Sequence, residues 1–433
     1  MQRRHGLLRM RLKGLPMKRF EACIVGTGRV GLPLGLSFIS AGVRAVGVDV
    51  DEQLRDTVNR GRMPFHEPGY DDLVASQQFK VFDAPDVASE SDAIIVTVGT
   101  PLHNHIETDL RQIQSVLEGI QPHLRQGQLL CLRSTVAPGT TAFVKRWIEA
   151  NTGFEVGKTF ALAFCPERIA EGKAILEIRS LPQIVGTEDE LSKRLADTLF
   201  GRLAPELLHT NYVQAELVKL FNNVTRYVHF ALANQFALIA DSFGASVHSI
   251  REMANHGYPR NQFAAPGLTA GTCLRKDFGM INEWSAYPDM LLSAWKMNEY
   301  MPAFLVQHLR QRTPIHGRRV AVLGYSFKAD TDDVRDSLAP KLCRYIEREL
   351  PSRLRVHDPC LPAPLPGGED RANVSAAEAL DEVDVVFVAT NHTGFGELLR
   401  QLARTKPEAW VADIWNTTGL NEIFYQAVAL TER

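Results

Sequence analysis

Short apolar runs, each closed by a glycine or polar turn, alternate with helical stretches along most of this chain. Residues 20–25 run straight into Gly26-Thr27-Gly28-Arg29-Val30-Gly31, with a helix over 34–40 and a second apolar run over 45–50. Runs at 93–98, 129–132 and 160–164 end at Gly99-Thr100-Pro101, Arg133-Ser134-Thr135 and Cys165-Pro166-Glu167. Alternation of this kind predicts βαβ units and a parallel sheet. Ligands of such sheets bind beyond the carboxyl ends of the strands, where these polar turns lie.

Residues 211–243 contain no Gly or Pro and stop at Gly244, which predicts one helix of roughly 50 Å joining two domains. Helical patterning continues to about residue 310, broken by Gly and Pro over 257–271. Strand runs return at 319–323, 354–357, 383–389 and 411–414. Glu90-Ser-Asp-Ala-Ile-Ile-Val and Glu382-Val-Asp-Val-Val-Phe-Val hold corresponding places in the two strand-rich regions. The expected plan is α/β: two Rossmann-like doubly wound domains joined by a long central helix and a helical middle domain.

With 433 residues the chain exceeds a single core. A net charge of −2 offers no electrostatic footing for nucleic acid or an anionic membrane. The most apolar helical stretch, 230–240, is interrupted by Asn234 and Gln235, and no run reaches membrane-spanning length. Six cysteines are scattered without a C-x-x-C pair, which suggests a reducing, cytoplasmic setting. The 13 histidines form no ligand cluster, so no metal is expected. Residues 1–17 are basic and make a poor signal peptide; they read as a tail, or as a start placed too early with Met17 the true one.

Gly26-x-Gly28-x-x-Gly31 sits where a strand turns into a helix. Glycines there let the turn close and let a pyrophosphate approach the helix N-terminus. Asp49, at the end of the next strand, suits a ribose 2′-hydroxyl and repels a 2′-phosphate, which favours NAD. Cys273 lies in a Gly-rich loop, Ala270-Gly-Thr-Cys-Leu-Arg-Lys-Asp277, beside cations that lower a thiol pKa. Oxidising an alcohol needs no thiol, but carrying an aldehyde on to the acid does: a thiolate adds, a second hydride leaves, and the thioester is hydrolysed. Lys219 and Asn223 stand one helical turn apart, as donors for an oxyanion or as a solvated stripe. Glu167 and Glu171, with Thr135, could activate water, or equally be helix-start acids and a capping threonine.

Together these motifs resemble the nucleotide-sugar 6-dehydrogenase family, the UDP-glucose, GDP-mannose and UDP-N-acetylhexosamine dehydrogenases, over residues of about 18 to 425. Arg133-Ser-Thr-Val-Ala-Pro-Gly139 is similar to its K-S-T-x-P-x-G loop, and Pro166-Glu167 to Gly172 to its P-E-x-x-x-E-G segment. Glu216-Leu-Val-Lys219 to Asn223 is similar to its E-x-x-K-x-x-x-N helix. Gly271-Thr-Cys273 to Asp277 resembles its G-G-x-C-x-x-K-D loop, and Phe327-Lys328 to Ser337 its F-K-x-x-T-D-D-x-R-x-S signature.

The resemblance implies Cys273 as nucleophile, Lys219 and Asn223 as anion stabilisers, and Asp277, Glu167 and Thr135 around the hydrolytic water. It implies NAD at Gly26, Gly28, Val30, Gly31, Asp49, Thr100 and Thr135, with Arg335 reaching towards it. The sugar nucleotide would meet Glu167, Lys219, Asn223, Arg260, Gly271 and Lys328. Two departures stand out: Ala270 replaces the first Gly of G-G-x-C, and Arg275 stands where many members have proline.

The implied division is a basic tail at 1–17, an NAD-binding domain at 18–205, a helical dimerisation domain at 206–310, and a C-terminal nucleotide-sugar domain at 311–433. The expected reaction is a four-electron, NAD-dependent oxidation of the C6 hydroxyl of a UDP-sugar by a homodimer, yielding a uronic acid for polysaccharide precursors. Residues 258–263 with Pro182-Gln183 lean towards UDP-N-acetylhexosamine. The alternatives are a two-electron hydroxyacid-type dehydrogenase and a catalytically silent nucleotide-sugar-binding relative.

Overall fold

The computed structural model describes residues 20–431 except 101, 104–106, 261, 270 and 368–370, without the side chains of 102, 103, 107, 108, 272 and 273. The basic tail and Ala270 lie outside the described residues. The chain forms two compact units, one from residues up to 100 with 109–217, the other from 101–108 with 218–433.

In the first unit, eight strands form one sheet: β1 (Phe20–Val25), β2 (Ala45–Val48), β3 (Val81–Phe82), β4 (Ser91–Val96), β7 (Leu129–Leu132), β8 (Ala161–Phe164), β9 (Gln183–Gly186) and β10 (Leu207–Thr210). A short hairpin in the second unit supplies β5 (Leu102–His103) and β6 (Glu107–Thr108). The sheet order is β10-β9-β8-β7-β4-β1-β2-β3. All neighbours are parallel except β8 and β9, which meet antiparallel at Phe164 and Gly186, so the expected parallel sheet is a mostly parallel one. β10 joins it beyond residue 205, the expected end of this domain.

Val25 pairs with Val48 on one side and Val96 on the other, so the chain leaves β1 where the sheet's winding reverses. An open α/β sheet has its ligand crevice at such a point. β7 and β8 are buried at every position, as strands covered on both faces must be. One face packs Ile24, Phe38, Ile95, Cys131 and Phe200 into a single core.

In the second unit the sheet runs β12-β11-β13-β14-β15, from β11 (Arg319–Leu323), β12 (Arg353–His357), β13 (Val385–Val388), β14 (Trp410–Ala412) and β15 (Phe424–Gln426). Only β14 and β15 are antiparallel. Ala237 from the long helix Tyr212–Ser242 and Phe304 and Leu305 from the helix Asp289–Arg310 pack on one face with Val320, Val322 and Phe387. The long helix matches the predicted span to within one residue at each end. The boundary between the units falls inside it, after Leu217.

Both sheets use one device at the central strand. Gly26 follows β1 with φ +91°, and Asp49 beyond β2 accepts from the Thr27 amide at 2.6 Å. Gly324 follows β11 with φ +87°, and Asp358 beyond β12 accepts from the Tyr325 and Ser326 amides at 2.7 and 2.9 Å. Left-handed backbone at each strand end turns the next amides outward, where they need an acceptor.

The chain ahead of the Cys273 helix is held at Gly267. Asn234, a buried polar residue of the long helix, accepts from the Gly267 amide at 2.9 Å and donates to its carbonyl at 3.1 Å. It also donates to Asn298, which donates on to the Tyr227 carbonyl. The Asn that interrupts the apolar run at 230–240 is thus a clamp for a backbone without secondary structure of its own. The Trp415 ring lies flat against Gly267: a Cβ there would come within 2.3 Å of it. Gly267→Ala should therefore cost about 1–3 kcal/mol through forced overpacking. Thermal melts should show the loss, and Trp415→Leu in the same chain should recover part of it. Additive losses would mean that the two residues do not press on each other.

Candidate active site

The dinucleotide turn is built from three glycines with different duties. Gly26 supplies the positive φ. Gly31 starts the helix Gly31–Ser40, and a Cβ on it would lie 1.9 Å from the Gly26 carbonyl oxygen, so no larger residue fits. A Cβ on Gly28 would meet nothing within 4 Å. That open side, next to the first amides of a helix with Val30 at its N-cap, fits a pyrophosphate. Asp49 accepts from Thr27 through Oδ2 and from the Asp51 amide through Oδ1 at 3.0 Å, and stays half-buried, available to a ribose diol. Arg29, inside the turn, pairs with Glu171 at 2.8 Å. These residues fit an NAD site.

Thr100 and Thr135 come together at the ends of β4 and β7, where the Thr100 hydroxyl donates to the Thr135 carbonyl. Glu167 differs from expectation. Residues 165–173 form no helix, so Glu167 and Glu171 are not an i, i+4 pair. Arg133 donates to Glu167 Oε2 from Nε at 2.9 Å and also from Nη2, while the Arg168 and Ile169 amides donate to Oε1 at 2.7 and 2.9 Å. Four donors fill the acceptor sites of a carboxylate. Glu167 therefore pins its own turn. Arg133 completes the pin by donating to the Cys165 carbonyl and to Gln183. Gln183, noted only for sugar preference, is the partner that sequence patterning gave no means of assigning.

In the second unit, Cys273 is not in a loop. It is the second residue of the helix Thr272–Asn282, capped by Gly271. Gly271 has φ +97° and ψ 149°, a conformation open to glycine almost alone. The first turn of a helix favours a thiolate through its unpaired amides and its dipole, an electrostatic aid independent of the neighbouring cations. The sequence-level error has a simple cause: Gly-Thr-Cys-Leu-Arg-Lys-Asp lacks apolar periodicity, and its glycine reads as a loop.

One turn after Cys273, Asp277 is completely buried. Asn223 donates to its Oδ2 at 2.6 Å, whereas Oδ1 has no hydrogen-bond partner. Burial raises the Asp277 carboxyl above its ordinary range, although the Lys219 and Lys276 charges and the Asn223 amide pull the other way. Lys219, Asn223 and Asp277 thus form one buried set, with Lys219 and Asn223 each less than a tenth exposed. The reading of Lys219 and Asn223 as a solvated stripe is excluded.

Lys328 is half-buried, and its carbonyl accepts from Ser326 and Thr331. Arg335 makes a two-pronged contact with Asp333, Nε to Oδ1 at 2.9 Å and Nη2 to Oδ2 at 2.6 Å. Arg260 is exposed, its guanidinium over the Tyr258 ring at 5.0 Å. Among the described residues, Asp358, Cys360 and His392 cluster closely enough to hold a metal ion. Hydrogen bonds already account for them: His392 Nε2 lies 3.0 Å from Asp358, and its Nδ1 accepts from the Asp330 amide at 3.0 Å.

Comparison with known proteins bears on this arrangement directly. The NAD binding domain of the UDP-glucose/GDP-mannose dehydrogenase family matches residues 20–204, its central domain 213–300 and its UDP binding domain 321–419. The chain belongs to the UDP-glucose/GDP-mannose dehydrogenase family. Among curated relatives, a UDP-N-acetyl-D-mannosamine dehydrogenase of Pyrococcus horikoshii is 31% identical, over 86% of this chain and 89% of the relative. One from Campylobacter jejuni is 30% identical, over 87% and 97%. Among solved structures, the UDP-D-ManNAc dehydrogenase of Pyrococcus horikoshii superposes with a TM-score of 0.80 at 30% identity, covering 89% of this chain and 92% of that one. A UDP-glucose dehydrogenase from Pyrobaculum islandicum gives 0.79 at 27% identity, covering 88% and 93%. The protein is accordingly an NAD-dependent nucleotide-sugar dehydrogenase, and the hydroxyacid-type reading falls away. No helix of the described residues is long and apolar enough to cross a membrane.

Asp277 yields a prediction with a definite sign. Its folded carboxyl titrates above the unfolded one, so ionising it costs more in the folded state. Its contribution to stability is greatest below the unfolded value of about 4 and is lost as pH rises from there through the raised folded value. Asp277→Asn does not titrate and should melt above the parent by a margin that widens as pH rises through that window. A margin constant from pH 4 to 8 would show that the carboxyl is not held high.

Proposed function

We propose that the chain oxidises the C6 hydroxyl of a UDP-N-acetylhexosamine to the carboxylate in two hydride-transfer steps, with Cys273 holding C6 as a thioester after the second hydride transfer and until hydrolysis. The observation that carries this reading is the unpartnered, buried Oδ1 of Asp277, one turn from a cysteine at a helix N-terminus. The UDP binding domain match supports the nucleotide, and the names of the curated relatives support an acetamido sugar over glucose.

When bound, NAD supplies the hydride acceptor; Gly26, Gly28, Gly31 and Asp49 would hold it, with Thr100 and Thr135 at the neighbouring strand ends. The first oxidation removes a hydride and the hydroxyl proton and leaves an aldehyde. The Cys273 thiolate adds to that carbon, and Lys219 and Asn223 stabilise the oxyanion that forms. Loss of the second hydride gives the thioester. Asp277 takes a proton from the attacking water, the carbon–sulfur bond breaks, and the thiolate is regenerated. Lys328 holds the nucleotide, Arg335 and Arg260 reach the substrate from flanking loops, and Gly271 brings the backbone close to the sugar. The product serves polysaccharide precursors in the cytoplasm.

Electron balance requires two NADH for each sugar consumed. Cys273→Ser should lower acid formation by roughly a thousandfold or more while UDP binding persists. One NADH per sugar, or acid formation at the parent rate in that variant, contradicts the mechanism. Binding of UDP-sugars with no NADH from any of them points to the silent relative instead.

The active form in this reading is a homodimer. Phe221, Leu232 and Ile239 are 54%, 45% and 46% exposed on the long helix, and Phe243, just past its end, is 83% exposed. At 100° per residue the three helical positions fall within about 20° of one another. Exposed apolar side chains aligned on one face fit a second copy of the same helix. Light scattering should give twice the chain mass, and Leu232→Glu with Ile239→Glu should give the monomer. A monomeric parent protein at micromolar concentration would refute the dimer.

A further inference from the structure

The helix that carries Cys273 is strapped to the Phe327–Ser337 segment at three places. The Gly271 amide donates to the Asp336 carbonyl at 3.2 Å. The Phe327 ring occupies the space beside Gly271, where a Cβ would come within 2.4 Å of it. Arg275 reaches Asp336 Oδ1 from Nη1 at 3.1 Å and Glu299 Oε1 from Nη2 at 3.2 Å. Glu299 is itself held by Lys341 at 2.8 Å, so four charges alternate in a row, Lys341, Glu299, Arg275 and Asp336.

We propose that Arg275 is a positioning residue: it makes the first turn of the Cys273 helix and the Lys328–Arg335 segment move as one body, so that a nucleotide held by the segment fixes the thiol. The proposal rests on the reading above that Cys273 is the nucleophile and Lys328 meets the nucleotide. Ion pairs this exposed add little stability individually. Their value is geometric. A guanidinium presents a rigid fork that binds two carboxylates in fixed directions, which a flexible ammonium does less well. Asp336 has φ +56°, an uncommon state for a residue with a side chain, and both its carbonyl and its carboxylate are engaged by the thiol helix. The first turn of the helix is stiffened by two ion pairs to neighbouring elements, one of them next to Arg335.

The consequence is a linkage between nucleotide occupancy and thiol exposure. Binding that holds the helix in one arrangement changes how often a reagent meets its thiol. The test is the rate at which iodoacetamide alkylates the peptide containing Cys273, with and without saturating UDP, in the full-length protein. In the parent, UDP should slow alkylation about fivefold or more. In Arg275→Ala it should slow it less than about twofold, with UDP affinity within about threefold of the parent. In turnover the variant should lose about tenfold to a hundredfold in kcat with little change in KM. Arg275→Lys, which keeps the charge and loses the fork, should recover only part of kcat, and full recovery would overturn the geometric role. Full UDP protection and full kcat in Arg275→Ala would overturn the proposal. So would loss of UDP affinity in proportion to kcat, which would make Arg275 a binding residue. Should Arg275→Ala fail to fold, Asp336→Asn, which leaves the Gly271 contact in place, decides the matter by the same measurements. Acid formation undiminished in Cys273→Ser would instead remove the thiol reading itself, independently of what Arg275 does.

Discussion

The backbone at Gly271 is the constraint on which the chemistry of the second unit depends. A helix starts immediately after Gly271, with Cys273 in its first turn. A φ of +97° makes the turn into that helix, and the Phe327 ring lies where any side chain would have to go. Upstream, Asn234 and Trp415 hold Gly267. Downstream, the helix delivers Asp277 to Asn223. Cys273, Asp277 and Asn223 thus belong to one construction whose parts come from a loop, a helix and the long helix. Moving any support displaces all three.

The two sheets show how one structural device serves two purposes. Each places a positive-φ glycine at the end of its central strand and a carboxylate from the adjacent strand beneath the amides that follow. In the first unit Asp49 stays half-buried beside Gly28, whose open side leaves room for a phosphate. In the second, Asp358 is closed over by the buried His392, and the chain beyond Gly324 goes on to Lys328 and Arg335. The difference is one of burial around a shared motif: Asp49 keeps an open side and Asp358 has none.

Much of this was legible in the sequence where apolar periodicity carried the information. The strands at Phe20–Val25, Leu129–Leu132 and Arg319–Leu323 coincide with their apolar runs, because a strand buried on both faces needs unbroken hydrophobicity. The long helix was equally plain from its lack of Gly and Pro. β3, β5, β6, β9, β10 and β15 are not visible as apolar runs: β10 has exposed positions and two of its four residues are His and Thr, while β3, β5, β6 and β15 span two or three residues, too short for a period to show. The helix at Cys273 was read as a loop because its cap is a glycine and its first turn is polar. Spacing leaves Glu167 open between a water-activating acid and a helix-start acid, because its donors come from residues as distant as Arg133 and no local pattern encodes a partner 34 positions away. Where the side chains mattered through spacing alone, as at Lys219 and Asn223, the sequence left function and solvation equally open, and only burial separates them.

The account's central claim is that an acyl group rests on the sulfur of residue 273 while the oxidation is under way. Its most direct test is an acid quench during turnover, followed by peptide mass mapping, in the parent and in Asp277→Asn, where slowed hydrolysis lets the intermediate accumulate. The account predicts an adduct of the oxidised sugar nucleotide on the peptide bearing Cys273, more abundant in the variant. Acid produced with no adduct on that peptide in either protein, or with the adduct on a different residue, would contradict it.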